Sequence, residues 1–580
     1  MKKTPRIRLS RRRFLQGSGA AAVGLAGGCA DEVNTGATED INVDGESTDS
    51  VSERETENDA LASDARNGKE GNSNGDIWEE DASTSSDEEV VDSSDESGEP
   101  DTSSPEEDID TVPLDEEDTS EESPDTNVEA EDISAGEDSE DTTEDEDTEE
   151  EEEKPQFFPG ATSLDEDSFP LGVQAGSATS SSIHLWTVLA GAGPWRLVVF
   201  ADGSGDDPGE IIVEGPVGPV ENDTAHVDVT YLPSSVWFRY CFVVDIEGDN
   251  GPIPRSAIGR FRTAPAEGEL EVLAFGGISC NNISYAPFDP LFHAAESALD
   301  FFLFAGDTVY ADGSKSIEDF RSVWRNYLDD SSYRAIMQST STLATWDDHE
   351  VDNNWDPETM NPNVIQAATD AFFEHLPVRR DPDAPDRIWR SHRWGKTLEI
   401  FVLDCRAERL PSTQGDNGTY ISTEQMEWLK NGLADSPCVF KLILNSVPIT
   451  NMPLLFDLAA DDSWVGYSGQ REEILEYISN SIDGVVWLAG DFHLGAITHV
   501  EGEGSPYYDQ MEIFMGPGGQ FSNPGWFLLE AGPQAAQYPF ATPNYNFVRF
   551  IADPLSEPPA LIVEFVGSDG DVFHEEVITV

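Results

Sequence analysis

Positive charge is scarce in this 580-residue chain: 32 Lys and Arg stand against 116 Asp and Glu, a formal net charge of -84, and only eight of the basic residues are lysine. A protein that grips a phosphate backbone needs a cationic footprint, so this balance excludes nucleic-acid binding by charge. It also excludes adsorption to an anionic membrane surface. Hydrophobic runs are short, and none reaches the ~18 apolar residues of a membrane-spanning helix. Cysteine is sparse: besides Cys29 there are Cys241, Cys280, Cys405 and Cys438. If Cys280 ligates metal, at least one of the other three is unpaired, and no essential disulfide is expected.

The charge that is present falls unevenly. Residues 1–30 hold seven basic and no acidic residues, 31–155 carry a net -48, and 156–580 carry -43. The first segment reads Ser10-Arg11-Arg12-Arg13-Phe14-Leu15-Gln16, then small residues from Gly17 to Gly28, then Cys29. Paired arginines before a mild apolar stretch have the form of a twin-arginine export signal, which places the protein in the periplasm or outside the cell. Leu25-Ala26-Gly27-Gly28 resembles a lipobox, so Cys29 is either a lipidation site or close to a simple cleavage point. Membrane contact is expected only through such an anchor.

From Asp31 to Lys154 the chain is Asp, Glu, Ser, Thr, Gly and Asn with scarcely an aromatic residue. It cannot bury enough apolar surface to offset the entropy of ordering, and is expected to be a disordered tether. As a neutral flexible chain it would span about 60 Å, and like charges swell it further. The residual acidity and the shortage of lysine suit concentrated salt, where the Debye length falls to about 3 Å at 1 M.

Folded structure is expected from about residue 165. Alternating strands at 183–187, 195–200 and 236–244 predict a small all-β sandwich over 165–266. From 270 to 580 the pattern becomes α/β. Strands are predicted at 271–279, 301–305, 341–346, 398–404, 439–445 and 484–490, with helices at 316–329, 364–376, 423–434 and 470–480. A late β-rich run at 511–515, 547–552, 559–566 and 571–579 hints at a second sheet packed on the first. The domain order is thus a leader (1–29), an acidic linker (30–160), a sandwich (165–266) and a catalytic domain (270–580). Residues 450–466 and the stretch Gly516 to Gly525 are candidate lids.

Several predicted strands end in residues that bind metal: Ser279-Cys280-Asn281, Gly306-Asp307-Thr308-Val309-Tyr310-Ala311-Asp312, Trp346-Asp347-Asp348-His349-Glu350 and Gly490-Asp491-Phe492-His493. Alone, Asp307 reads equally well as a helix cap, His349 as a core histidine and Cys280 as an inert buried thiol. Together they read differently, because the carboxyl ends of neighbouring strands converge on one crevice in α/β sheets. Cys280, Asp307, Tyr310, Asp348, Asp491 and His493 would then form one cluster whose mutual repulsion metal cations resolve.

These motifs, with Val351-Asp352-Asn353-Asn354 and Leu403-Asp404-Cys405-Arg406, resemble those of PhoD-like alkaline phosphatases, a branch of the calcineurin-like metallophosphoesterases. Phe169-Pro170-Leu171-Gly172-Val173 and Leu185-Trp186-Thr187 resemble that family's N-terminal, immunoglobulin- or fibronectin-like sandwich. The resemblance covers about residues 165–580. It implies a four-layer α/β/β/α catalytic domain holding Fe(III) and Ca(II), other divalent metals being possible. It makes Cys280, Asp307, Tyr310, Asp491 and His493 ligands, with Asp307 shared, and puts Asp348 where wider relatives carry a metal-binding Asn. Asn353 and Asn354 are weaker candidates. Asn281 stands where the family often has Gln, and Cys405 where Thr is common.

The expected reaction is hydrolysis of phosphomonoesters or phosphodiesters by metal-activated hydroxide attack on phosphorus. His349 would protonate the leaving alkoxide, and Arg406 or Arg409 would hold phosphate oxygens, the alternative for both arginines being surface ion pairs. Small-molecule phosphate esters are the expected partners of a monomeric enzyme. A phospholipid or cell-wall phosphodiesterase with the same site, and a tethered binding protein with an inactive metal domain, are the competing readings.

Overall fold

The computed structural model describes residues 157–158, 162–203, 209–244, 252–452 and 462–580. The expected leader with Cys29, and the acidic linker up to residue 156, lie outside these residues, as does most of the candidate lid at 450–466. Phe157–Phe158, placed by sequence in the linker, instead pairs as a short strand with Gly209–Pro216. Among the described residues no helix is long and apolar enough to cross a membrane.

A nine-stranded sheet is built around Leu273–Ile278, Phe301–Ala305 and Ser341–Thr345, which run parallel in that order. Phe301–Ala305, all apolar, shows why: its residues are buried on both faces, as a central parallel strand requires. Phe301, Leu303 and Ala305 enter the core between the sheets, where Phe275 stacks against Phe301 at 4.8 Å and Phe550 at 4.7 Å. Phe302 and Phe304 turn the other way, onto helices that include Ile317–Leu328 and Pro362–His375. The first of these starts at a capping box, with Ser316 and Asp319 each satisfying the other's backbone N–H.

A seven-stranded sheet contains Leu398–Val402, Phe440–Leu444, Val485–Ala489 and Met511–Phe514, all parallel. Leu398, Ile400 and Val402 meet the first sheet across the shared core, and Phe401 turns outward beneath helices Thr423–Asp435 and Ser468–Ser481.

Two sequence expectations change here. The late β-rich run does not make a second sheet by itself. Met511–Phe514 joins the second sheet, but Asn546–Asp553, Ala560–Gly567 and Val572–Thr579 extend the first, beginning antiparallel to Leu273–Ile278. The strands expected to form a separate sandwich are also divided. Trp195–Ala201 and Trp237–Val244 belong to a third sheet, whereas Val173–Gly176, Ser182–Val188 and Thr224–Thr230 continue the nine-stranded one. The junction is parallel pairing of Val173–Gly176 with Ser341–Thr345, which covers an otherwise bare edge.

Candidate metal centre

The loops leaving the carboxyl ends of Leu273–Ile278, Phe301–Ala305 and Ser341–Thr345 in one sheet, and of Val485–Ala489 in the other, meet at one place. Thr345 Oγ1 donates to the Leu403 carbonyl at 2.6 Å and Trp346 Nε1 to Asp404 at 2.9 Å, joining the carboxyl ends of strands in the two sheets. The turns are sharp. Cys280, Asp307, Asp491 and His493 all have φ between 54° and 60° except Asp307 at 52°, a left-handed conformation that non-glycine residues rarely adopt. Gly306 has φ +86°, and a Cβ there would fall 2.5 Å from that of Asp347. Only glycine lets the loops of Asp307 and Asp347 approach so closely.

Three overlapping groups have potential ligand atoms within 4.8 Å of one another: Cys280, Asp307 and His493; Asp307, Asp348 and His349; and Asp347, Asp348 and Asp491. Asp307 and Asp348 each belong to two groups. The Tyr310 hydroxyl lies 3.2 Å from Asp307 Oδ2 and 3.5 Å from His493 Nε2. The predicted ligands Cys280, Asp307, Tyr310, Asp348, Asp491 and His493 are thus brought together.

The residues fit a cation. Asp307 Oδ1 and Asp348 Oδ1 are buried without a hydrogen-bond partner. Burial, then the neighbouring Asp348 and Asp347, pushes the Asp307 carboxyl well above its ordinary range. Burial and then Asp347 do the same to Asp491, and burial with Asp307 nearby raises the Cys280 thiol. Burial lowers the His493 pKa to about 4, with His349 adding to the effect, so its imidazole is neutral and free to ligate at neutral pH. Such a set ionises fully only when positive charge enters it.

His349 lies at the edge of the cluster, within one of the three potential ligand groups. Its Nδ1 lies 2.8 Å from Asp312 Oδ1, and its ring stacks on Tyr310 at 4.0 Å. Burial disfavours its charged form, but the Asp312 hydrogen bond and the adjacent carboxylates outweigh this and raise its pKa.

Arg406, expected to hold phosphate oxygens, is completely buried. Its Nε and Nη2 pair with the two oxygens of Asp347 at 2.8 and 3.0 Å, Nη1 donates to Asp462, and Nη2 also reaches Asp491 at 3.3 Å. Every nitrogen is committed because the folded core holds uncompensated carboxylates around it. Arg409, also buried, donates to Asp462 and to the Trp355 carbonyl at 2.7 Å. The surface-pair alternative fails, since neither guanidinium is at the surface.

With its side-chain amide turned so that the nitrogen faces the carboxylates, Asn354 donates to Asp348 Oδ2 and Asp462 Oδ2, both at 2.9 Å. Asn353 is exposed, and its backbone N–H donates to Asp312 at 2.7 Å.

Sequence reasoning gave no role to Glu350, Asp347, Asp312 or Asp462. Glu350 is buried and accepts from the N–H groups of Asp307 (3.2 Å), Thr308 (2.6 Å) and Asp347 (2.8 Å), clamping two ligand loops together. Burial raises its pKa to about 7 against those hydrogen bonds. Its only sequence signal was its place in Trp346-Asp347-Asp348-His349-Glu350. Asp462 stood out only as part of the candidate lid at 450–466.

Comparison with known proteins agrees with this geometry. The PhoD-like phosphatase family model matches residues 273–518. Alkaline phosphatase D of Bacillus subtilis (strain 168) is 27% identical over 384 residues, which is 56% of this chain and 64% of that protein, so the match spans just under two thirds of the relative. A solved structure of PhoD shares the fold with a TM-score of 0.59 at 22% identity, over 71% of this chain and 89% of the other. A purple acid phosphatase from yellow lupin seeds shares it at a TM-score of 0.51 and 14% identity, over 70% and 73% of the two chains.

Proposed function

We propose that the chain, whose residues 273–518 match the PhoD-like phosphatase family model, is a member of that family and a metal-dependent phosphoric ester hydrolase acting on small phosphate esters. The observation that carries this reading is the overlap of three potential ligand groups through Asp307 and Asp348, each with an unpaired buried oxygen. Cys280, Asp307, Tyr310 and His493 would hold one ion, and Asp307, Asp348 and Asp491 a second. Bound there, the ions would lower the pKa of water and neutralise phosphoryl oxygens. Thiolate and phenolate donors suit Fe(III), and the carboxylate-rich half suits Ca(II).

The chain's own residues do the rest. Asp312 holds Nδ1 of His349, which leaves Nε2 to give its proton to the departing alkoxide. The Tyr310 ring keeps the imidazole in plane, Glu350 sets the spacing of the ligand loops, and Arg406 orients Asp347 and Asp491. The helix, sheet, sheet, helix layering suits the four-layer catalytic domain of the family. The twin-arginine-like motif Arg11-Arg12-Arg13-Phe14-Leu15 would direct export, with Cys29 either lipidated as an anchor or close to a simple cleavage point. Lysine at Arg11, Arg12 and Arg13 would then retain the protein in the cell.

Hydrolysis of a chromogenic phosphomonoester and diester, with elemental analysis and chelator controls, tests the reading. Turnover that is lost with chelator and restored by metal is expected. A metal-loaded preparation that cleaves neither ester would refute it and favour a tethered binding protein.

A further inference from the structure

Two of the metal-site loops are also tied together from the helix side. Tyr327 lies on helix Ile317–Leu328, on the face that buries Phe320, Trp324 and Leu328, and by spacing alone it is one more core aromatic. Its hydroxyl does something else. Fully buried, the phenol oxygen accepts from the Ile283 N–H at 3.0 Å and from the Tyr310 N–H at 3.1 Å. Those N–H groups belong to different loops: Ile283 follows Cys280 after strand Leu273–Ile278, and Tyr310 follows Asp307 after strand Phe301–Ala305. Burial raises the pKa of the phenol, so the oxygen keeps its proton and both of its lone pairs face the loop amides.

The neighbouring ties run elsewhere. Tyr333, from helix Ser331–Ser339, meets Tyr327 edge to face at 5.8 Å and donates to the Thr308 carbonyl. Glu350 takes the N–H groups of Asp307 and Thr308 and joins them to that of Asp347. Residues 307–310 are therefore held from two sides. Glu350 fixes one end to the loop of Asp347 and Asp348, in the carboxylate-rich half, whereas Tyr327 fixes the other end, at Tyr310, to the segment leaving Cys280. A backbone bond from the Asn281 N–H to the Asp307 carbonyl at 3.1 Å joins the same two loops nearer the strands. The Tyr327 hydroxyl governs their outer parts, and these carry the thiol and the phenol of the first proposed ion site.

We propose that Tyr327 is a positioning residue for the metal centre: its hydroxyl, accepting from both loops, sets the separation of Cys280 and Tyr310 and so the geometry of the site they share with Asp307 and His493. It acts on that site and not on the carboxylate-rich one. This rests on the metal-dependent hydrolase reading above. Tyr327→Phe keeps the ring in the core but leaves two loop N–H groups without their acceptor, and such groups turn toward water when they can. The loops would then part at Cys280 and Tyr310 while Glu350 still holds Asp307 against Asp347.

The test strips the full chain with chelator and titrates it separately with Fe(III), in competition with nitrilotriacetate, and with Ca(II). Wild type, Tyr327→Phe and Phe238→Leu are compared, the last being a core substitution in the third sheet that lowers stability without touching the loops. Loss of a partner that orients ligands predicts an iron affinity about 10–100-fold lower in Tyr327→Phe, with calcium affinity little changed. The visible phenolate-to-iron absorption should shift at equal iron content. Phe238→Leu should melt lower and leave both affinities and the band as in wild type. Equal loss of iron and calcium affinity, a band identical to that of wild type, or the same effects in Phe238→Leu overturns the proposal. A measurement on wild type alone stands beside these: amide hydrogen exchange at Ile283 and Tyr310 should be slow even without metal, because Tyr327 holds those N–H groups. Exchange there as fast as in an open loop overturns the proposal as well. Wild type that binds both metals but cleaves no phosphate ester overturns the hydrolase reading alone, and wild type that binds neither overturns both.

Discussion

Replacing Arg406 with methionine preserves most of the side-chain volume while removing a guanidinium whose three nitrogens all donate to carboxylates. Asp347, itself completely buried, then loses both of its charge-assisted bonds, and Asp462 and Asp491 lose one each. Breaking a buried pair by deleting one partner typically costs about 3–5 kcal/mol, because the survivor is left charged and unsolvated. The upper half of that range is expected here, since three carboxylates share the cation. Neutralising the main partner as well should recover part of the loss, so R406M/D347N should be less destabilised than the sum of the single variants. Thermal and urea unfolding of the four proteins, all metal-loaded, measures the coupling. Phosphate-ester kinetics on the same samples separates the alternatives. If R406M melts like wild type but shows a much higher KM, the guanidinium contacts substrate and the positioning role is wrong.

Other expectations follow from the same structure. Gly306→Ala must place a Cβ 2.5 Å from that of Asp347 at φ +86°. It should cost at least about 2 kcal/mol and lower metal content by parting the two loops; a variant with unchanged melting and metal stoichiometry would show that the close approach is dispensable. Chelation should lower the melting temperature reversibly, by the equivalent of about 4 kcal/mol at a thousandfold excess of metal over Kd. A protein purified without metal whose melting ignores added ions would count against the cation fit. His375 is fully buried, and burial lowers its pKa from 6.5 to about 4. The unfolded chain therefore binds the extra proton first as pH falls, and this group's contribution, complete above pH 6.5, declines to a loss of about 3 kcal/mol once pH is below 4. The stability difference between wild type and H375Q should change with pH across that window, and a constant difference would refute the assignment.

Many strands and helices were readable because periodicity reports burial locally, but helices Asp289–Glu296 and Ser331–Ser339 and strands Arg390–Trp394 and Gly495–His499 were not anticipated. Phe301–Ala305 was legible as a strand and the stretch after Ser316 as a helix, whereas the burial of the strand on both faces and the Ser316–Asp319 capping box came from the structure. Which sheet each strand joins was not readable. Val485–Ala489 and Phe301–Ala305 have the same apolar pattern but lie in different sheets, and Asn546–Asp553 returns to the first sheet after Met511–Phe514 has joined the second. Pairing of that kind is decided by edges and covered faces far apart in the chain. Glu350 shows the same limit within the site: its two carboxylate oxygens accept from three backbone N–H groups, which carry no residue-specific signal.

The amino-acid sequence by itself determined the residue types of the centre. Thiol, phenol, imidazole and carboxylates sit at the ends of apolar strands, a local property of pattern and spacing. It also determined the shortage of positive charge, and hence that few cations were available to balance so many carboxylates. Only the tertiary structure decided where the scarce cations went. Arg406, which by sequence could have faced substrate or solvent, is drawn into the core, because a buried carboxylate such as Asp347 must be paired there and two sheets closing over it leave the guanidinium no other place.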